Sequence, residues 1–164
     1  MQIDRLLERT SIALALIGGV VLAAMALLAT VSILGRWWFS KPVWGDVELV
    51  QMGTAVAIAL SLPYAQFKRA HIMVDFFTAR AAPTTRARLD SLGSLLLGLV
   101  CLLLAWRAGV GVLDMRAVGE TTMVLGFPIW IVYLAMVVGL AVTGVVGLAG
   151  AWVLGRGAGK ADVS

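Results

Sequence analysis

Four long stretches of this chain contain no Asp, Glu, Lys, Arg or His: residues 10–35, 49–67, 91–106 and 121–155. Their lengths are 26, 19, 16 and 35 residues, so they hold 96 of the 164 residues. A helix that crosses the hydrocarbon core of a bilayer needs about 20 mostly apolar residues. Three stretches meet that length directly. The third reaches residues 91–113 when Arg107 is accepted near its end. Hydrophobic residues make up 61% of the chain and charged residues 13%, far too apolar for a disordered segment or for a soluble globule of this size. The run over residues 95–104 does not alternate in polarity, which excludes a membrane β-barrel.

These stretches predict an all-α integral membrane protein of four helices, forming a single membrane domain over residues 1–164. The spans fall at about 11–34, 47–67, 89–112 and 127–153. The first apolar run is much longer than a signal-peptide core and follows Asp4 and Glu8, so it reads as a retained span. Trp37, Trp38 and Phe39 follow span 1, and Trp44 follows Pro42, as expected of aromatic side chains at headgroup level. Asp46 and Glu48 open span 2, where the helix dipole favours negative charge. Pro63 lies inside that span and predicts a kink. Residues 71–80 carry Ile72, Met73, Phe76 and Phe77 on one helical face and His71, Asp75 and Thr78 on another. They predict a short amphipathic helix lying in the interface between spans 2 and 3. Pro83 ends it, and Thr84 or Thr85 caps span 3. Span 4 starts at Phe127 and Pro128, with Trp130 and Tyr133 at its outer boundary. Residues 155–164 form a frayed polar tail.

The loops carry the charge unequally. With the N-terminus inside, 9 of the 13 Lys and Arg residues fall on the inner side and 4 on the outer side. The positive-inside rule therefore puts both termini and the middle loop in the cytoplasm. This bias accounts for most of the net charge of +4 without a nucleic-acid partner. The lipid bilayer is the partner that the composition itself demands.

Catalytic chemistry is poorly provided for. One cysteine permits no internal disulfide, and one histidine permits no bis-histidine haem or His-rich metal site. No charged side chain lies near the middle of a charge-free stretch, whereas proton and ion pathways normally use such groups. The chain reads as a non-enzyme without cofactors. Cys101 reads as a small buried hydrophobe. Arg107, Asp114, Arg116 and Glu120 read as a solvated outer loop. Asp46 and Glu48 are either helix-start residues or, for Glu48, a partner for Arg36 across the outer loop or for a charge on another subunit. Rows of small residues, Gly53-Ala57-Ser61 and Gly139-Thr143-Gly147-Ala151, suit close helix contact, either inside the protein or with a partner.

An ordered set of short motifs goes further. Gly35-Arg36 closes span 1, and Trp44-x-x-x-Glu48-Leu49 opens span 2. Pro63-Tyr64-Ala65 ends span 2, and His71-Ile72-x-Val74-Asp75 follows. Gly119, Thr122, Leu125, Pro128, Trp130 and Tyr133 come later. Over about residues 5–150 this set resembles the small, Q-type (DctQ-like) membrane subunit of tripartite ATP-independent periplasmic (TRAP) transporters. The family's usual glycine just before the His-Ile pair is replaced by Arg69-Ala70.

The resemblance implies a multi-pass protein of the bacterial inner membrane. It would brace a large (M-type) membrane subunit for sodium-coupled uptake of an organic acid delivered by a periplasmic substrate-binding protein, which docks transiently. Arg36, Trp44, Glu48, Pro63, His71, Asp75, Pro128, Trp130 and Tyr133 become candidate partner-contact or boundary-anchoring residues. The competing readings are a stand-alone four-span scaffold, a small multidrug exporter and a membrane redox enzyme. The exporters rely on a glutamate in span 1, and residues 10–35 contain none. The single Cys and single His speak against the redox enzyme.

Overall fold

The computed structural model describes residues 2–68 and 83–161, with side chains described for residues 5–68 and 89–153. Four α-helices account for nearly all of them: α1 (Gln2–Phe39), α2 (Asp46–Phe67), α3 (Pro83–Val118) and α4 (Trp130–Ala161). Each contains a stretch long and apolar enough to cross a membrane. The expected all-α, four-helix membrane architecture is therefore present. The expected interfacial helix over 71–80 lies outside the described residues.

The helices overrun the apolar stretches that marked them. α1 continues to Phe39, so Trp37, Trp38 and Phe39 occupy its last turn instead of following it. It stops where Ser40 takes a left-handed backbone (φ 53°), two residues before Pro42. α3 begins at Pro83 itself, so Thr84 and Thr85 lie inside its first turn and do not cap it. Proline suits a first helical position because the missing N–H is unsatisfied there anyway. α3 also runs through Arg107, Asp114 and Arg116, which are helical and not part of a loop. It ends in a Schellman motif: Gly119 has φ +70°, and the Glu120 N–H donates to Met115 C=O at 3.0 Å. α4 starts at Trp130, after Phe127 and Pro128. It continues to Ala161, so most of the expected tail is helical; nothing after Pro128 interrupts the backbone ladder.

The chain is two antiparallel hairpins joined side by side. α1 packs on α2, α3 packs on α4, and α2 packs on α4, giving the row α1–α2–α4–α3. α1 barely meets α4, which leaves α1 and α3 at opposite edges. Only 6% of the most apolar stretch of α1 is buried, against 33% for central α4.

Small residues set each contact, because they let backbones approach closely where lipid offers no hydrophobic drive for helices to associate. Between α1 and α2, Gly18 lies against the Ala57 carbonyl and Ser61, and Gly53 lies against Met25. Between α3 and α4, Gly98 meets Gly147, Leu102 meets Gly144, and Ser91 donates to Ala151 C=O at 2.8 Å. The small-residue rows of spans 2 and 4 thus pack inside the protein. The central joint is tighter still. A Cβ on Gly139 would stand 2.2 Å from the carbonyl oxygen of Ala59. Ala59 is four residues before the fully buried Pro63, which has no N–H to give it. The carbonyl released by the proline is therefore the one that α4 covers with a glycine.

Gly139→Ala should disrupt this joint. The obstructing atom is backbone, so the expected loss is about 1–3 kcal/mol, read as a lower melting temperature in detergent micelles. Gly19→Ala, where nothing lies within 4 Å of the added methyl, should leave the melting temperature unchanged or slightly raised.

Candidate functional site

The candidate residues gather at the end of the row where the α1–α2 and α3–α4 connections lie. The α3–α4 connection is a tight hairpin built by backbone hydrogen bonds. Thr122 N–H donates to Phe127 C=O (2.9 Å), Gly126 N–H to Thr122 C=O (3.1 Å), and Ile129 N–H to Glu120 C=O (3.2 Å). Thr121 and Pro128 form its bridge, and Gly126 turns with φ +64°. Two N–H groups at its tip find no carbonyl within the hairpin. Glu48, in the first turn of α2, supplies the acceptors: one carboxylate oxygen takes Val124 N–H at 2.9 Å and the other takes Leu125 N–H at 3.1 Å. The same hairpin presses Leu125 onto Gly45, where a Cβ would lie 2.5–2.9 Å from three Leu125 carbons. Gly45 also has φ +70°, so two independent constraints require glycine there. Glu48 thus ties one helical hairpin to the other.

Asp46 does separate work. It accepts the Ser32 hydroxyl, receives Val47 N–H at 2.8 Å, and lies 3.7 Å from the Arg36 guanidinium. Ser32 is buried and also accepts Val43 N–H at 3.2 Å, so it fastens the α1–α2 connection from within. Arg36 therefore meets Asp46, and the expected Arg36–Glu48 pair does not form. The Arg36 side chain is 64% exposed, which makes this a weak, solvent-screened pair.

The remaining candidates disperse. Trp44 is 77% exposed and outside the clamp. Pro128 lends its carbonyl to Ile131 N–H at 3.3 Å, at the entrance of α4. Trp130 lies beneath the Arg116 guanidinium, 5.5 Å from its ring centre, as a cation–π pair. The Tyr133 ring covers Gly111 of α3. Pro63 belongs to the α2–α4 joint, deep in the row. His71 and Asp75 lie outside the described residues. The hairpin's use of Glu48 was not foreseen; a carboxylate at a helix start gives no sign of which loop N–H groups it will meet. Cys101 is buried on the α4-facing side of α3, as a small hydrophobe would be.

Beside the clamp an open groove of about 570 Å³ runs between Gln51 and Met52 of α2, Tyr133 and Met136 of α4, and Thr121 and Met123 of the hairpin. Among the described residues no three His, Cys, Asp or Glu side chains come together to hold a metal. The arrangement provides contacts that fix helices and loops.

Residues 25–156 match the DctQ component of tripartite ATP-independent periplasmic transporters, and the chain belongs to that family. The match spans most of the chain and reaches all four helices. No curated protein and no solved structure matches the chain. The protein is thus a transporter component, of a family that is not an enzyme class and that resides in the inner membrane.

Glu48→Ala should free the hairpin tip while leaving the helices in place. Hydrogen–deuterium exchange should accelerate several-fold at Val124 and Leu125 and stay unchanged at the α2–α4 contact. Asp46→Asn, which keeps an acceptor for Ser32, should leave those two amides protected.

Proposed function

We propose that this chain is the bracing subunit of a sodium-coupled TRAP transporter that takes up an organic acid delivered by a periplasmic binding protein. The family match over residues 25–156 carries the reading. The row of helices supports it. The described residues offer broad apolar faces, and Ser32, Asp46, Glu48 and Ser91 bond within the protein, which suits a scaffold. The large membrane subunit then holds the substrate and sodium sites, and this chain fixes that subunit's immobile part in the bilayer.

The distribution of Lys and Arg supports an orientation with both termini in the cytoplasm. The Glu48 clamp and the hairpin then face the periplasm, beside the place where a binding protein delivers its cargo. In this reading Arg36, Trp44, Pro128, Trp130 and Tyr133 set the outer boundary. His71 and Asp75 secure the segment after α2 at the inner boundary or against the large subunit.

Reconstitution tests this. Liposomes containing the large subunit together with this chain should accumulate a radiolabelled organic acid when a sodium gradient and the loaded binding protein are supplied. Liposomes lacking this chain, or lacking sodium, should fall to background. Uptake of equal rate without the chain would refute the bracing role.

A further inference from the structure

The seam between α2 and α4 is closed at one level and open at another. Gly139 meets Ala59 with no room for a methyl group between them. Toward the two-loop end the same seam opens into the groove of about 570 Å³ beside the clamp. The groove follows α2 from Glu48 to Ala55, seven residues or about 10 Å along the helix. On α4 it reaches from Val132 to Met136. Thr121, Thr122 and Met123 of the hairpin stand across its outer end, so its approach is sideways, from the bilayer.

Two features of the lining select an occupant. The first is its methionines. Met52 of α2 and Met136 of α4 are half-buried, and Met123 at the hairpin tip is fully exposed. Unbranched thioether side chains reshape around whatever apolar group enters, and they recur on surfaces that take up a partner's side chains. Met123 is nevertheless held in place, because its neighbours Val124 and Leu125 are clamped by Glu48.

The second feature is charge. Glu48 and Glu120 line the outer part of the groove, and among the described residues no Lys, Arg or His lines it. The two amides that Glu48 binds are neutral, so its charge is left for a partner. Arg36 and Arg116 at this end are engaged elsewhere, with Asp46 and over the Trp130 ring. A phospholipid seated in the groove would set its phosphate beside two carboxylates with no cation to receive it. Like charges brought together in this way exclude a wrong partner, and opposite charges select a right one.

We propose that this groove receives the outer end of a membrane helix of the large subunit. A bulky apolar side chain enters between Met52 and Met136, and a Lys or Arg beside it meets Glu120 and Glu48. This rests on the bracing role proposed above. The sideways opening admits a membrane-embedded partner and turns away a water-soluble one. By fixing the hairpin, the Glu48 clamp sets the outer wall of the groove before the partner arrives, which lowers the cost of ordering it.

The experiment co-expresses the affinity-tagged chain with its large subunit and measures the large subunit recovered per tagged chain in the membrane. A photo-crosslinking residue in place of Gln51, an exposed position at the groove, should capture the large subunit. Ala55→Phe fills the groove from its lining and should recover roughly tenfold less large subunit. Glu120→Lys reverses the charge at the outer part and should lower recovery several-fold, while Glu120→Asp should retain it. Glu120 is exposed, so Glu120→Lys keeps the test open if Ala55→Phe fails to insert. Full recovery with Glu120→Lys, full recovery with an inserted Ala55→Phe, or crosslinking from position 51 to lipid or to the binding protein alone would each overturn the proposal. Failure of the wild-type chain to recover any large subunit would refute the bracing role itself, a distinct result.

Discussion

The contact of α2 with α4 is the joint on which the rest of the structure depends. Each antiparallel hairpin is held by its own sequence-adjacent packing, α1 with α2 and α3 with α4. Among the described residues the α2–α4 contact is the main joint that makes the two hairpins one body. At its centre, the carbonyl that Pro63 leaves without a backbone donor lies under Gly139. At the two-loop end, Glu48 holds the α3–α4 hairpin by two backbone amides, and Leu125 closes over Gly45. A glycine contact in the apolar depth and a carboxylate clamp at the boundary are complementary devices. The first needs no polar partner where none is available. The second uses a carboxylate where two backbone N–H groups lack a carbonyl partner.

An open row has a consequence that a closed bundle lacks. The edge helices keep broad apolar surface, and α1 is the least buried of the four. Lipid can cover such surface at little cost, but so can another membrane protein, and the row presents a wide area to it. A transporter whose mobile parts move against a fixed frame benefits from a frame that is broad and internally rigid. Ser32, Asp46, Glu48 and Ser91 fasten separate segments of the chain to one another, and Ser61 and Thr143 bond back to their own helices.

Sequence reading found the four helices because charge-free length is a direct physical requirement of the bilayer. The rows of small residues were legible from their four-residue spacing, and the structure places them between helices. Helix ends were less legible. Residues 108–118 continue α3 despite Asp114 and Arg116, since a backbone ladder tolerates charge on its exposed face. The relations between helices were not legible at all. Only the contacts of Gly98 with Gly147 and of Gly111 with Tyr133 reveal the register of α3 on α4. In the same way, a carboxylate at a helix start announces a favourable dipole but not a hairpin 76 residues later in the chain. The family motifs gave the right class before any of this, because they record the order of boundary residues and not their partners.

The arrangement of the helices as an open row is the claim that everything else requires. Spin labels at Val20 of α1 and Trp106 of α3, nearly level in the row, measure it directly in a Cys101→Ala background in nanodiscs. With two helices between them, each about 8–10 Å from the next, the backbone separation should be about 20 Å or more by electron–electron double resonance. A distribution centred near about 10 Å, the spacing of adjacent helices, would mean that α1 and α3 touch, that the chain closes into a bundle, and that the account is wrong.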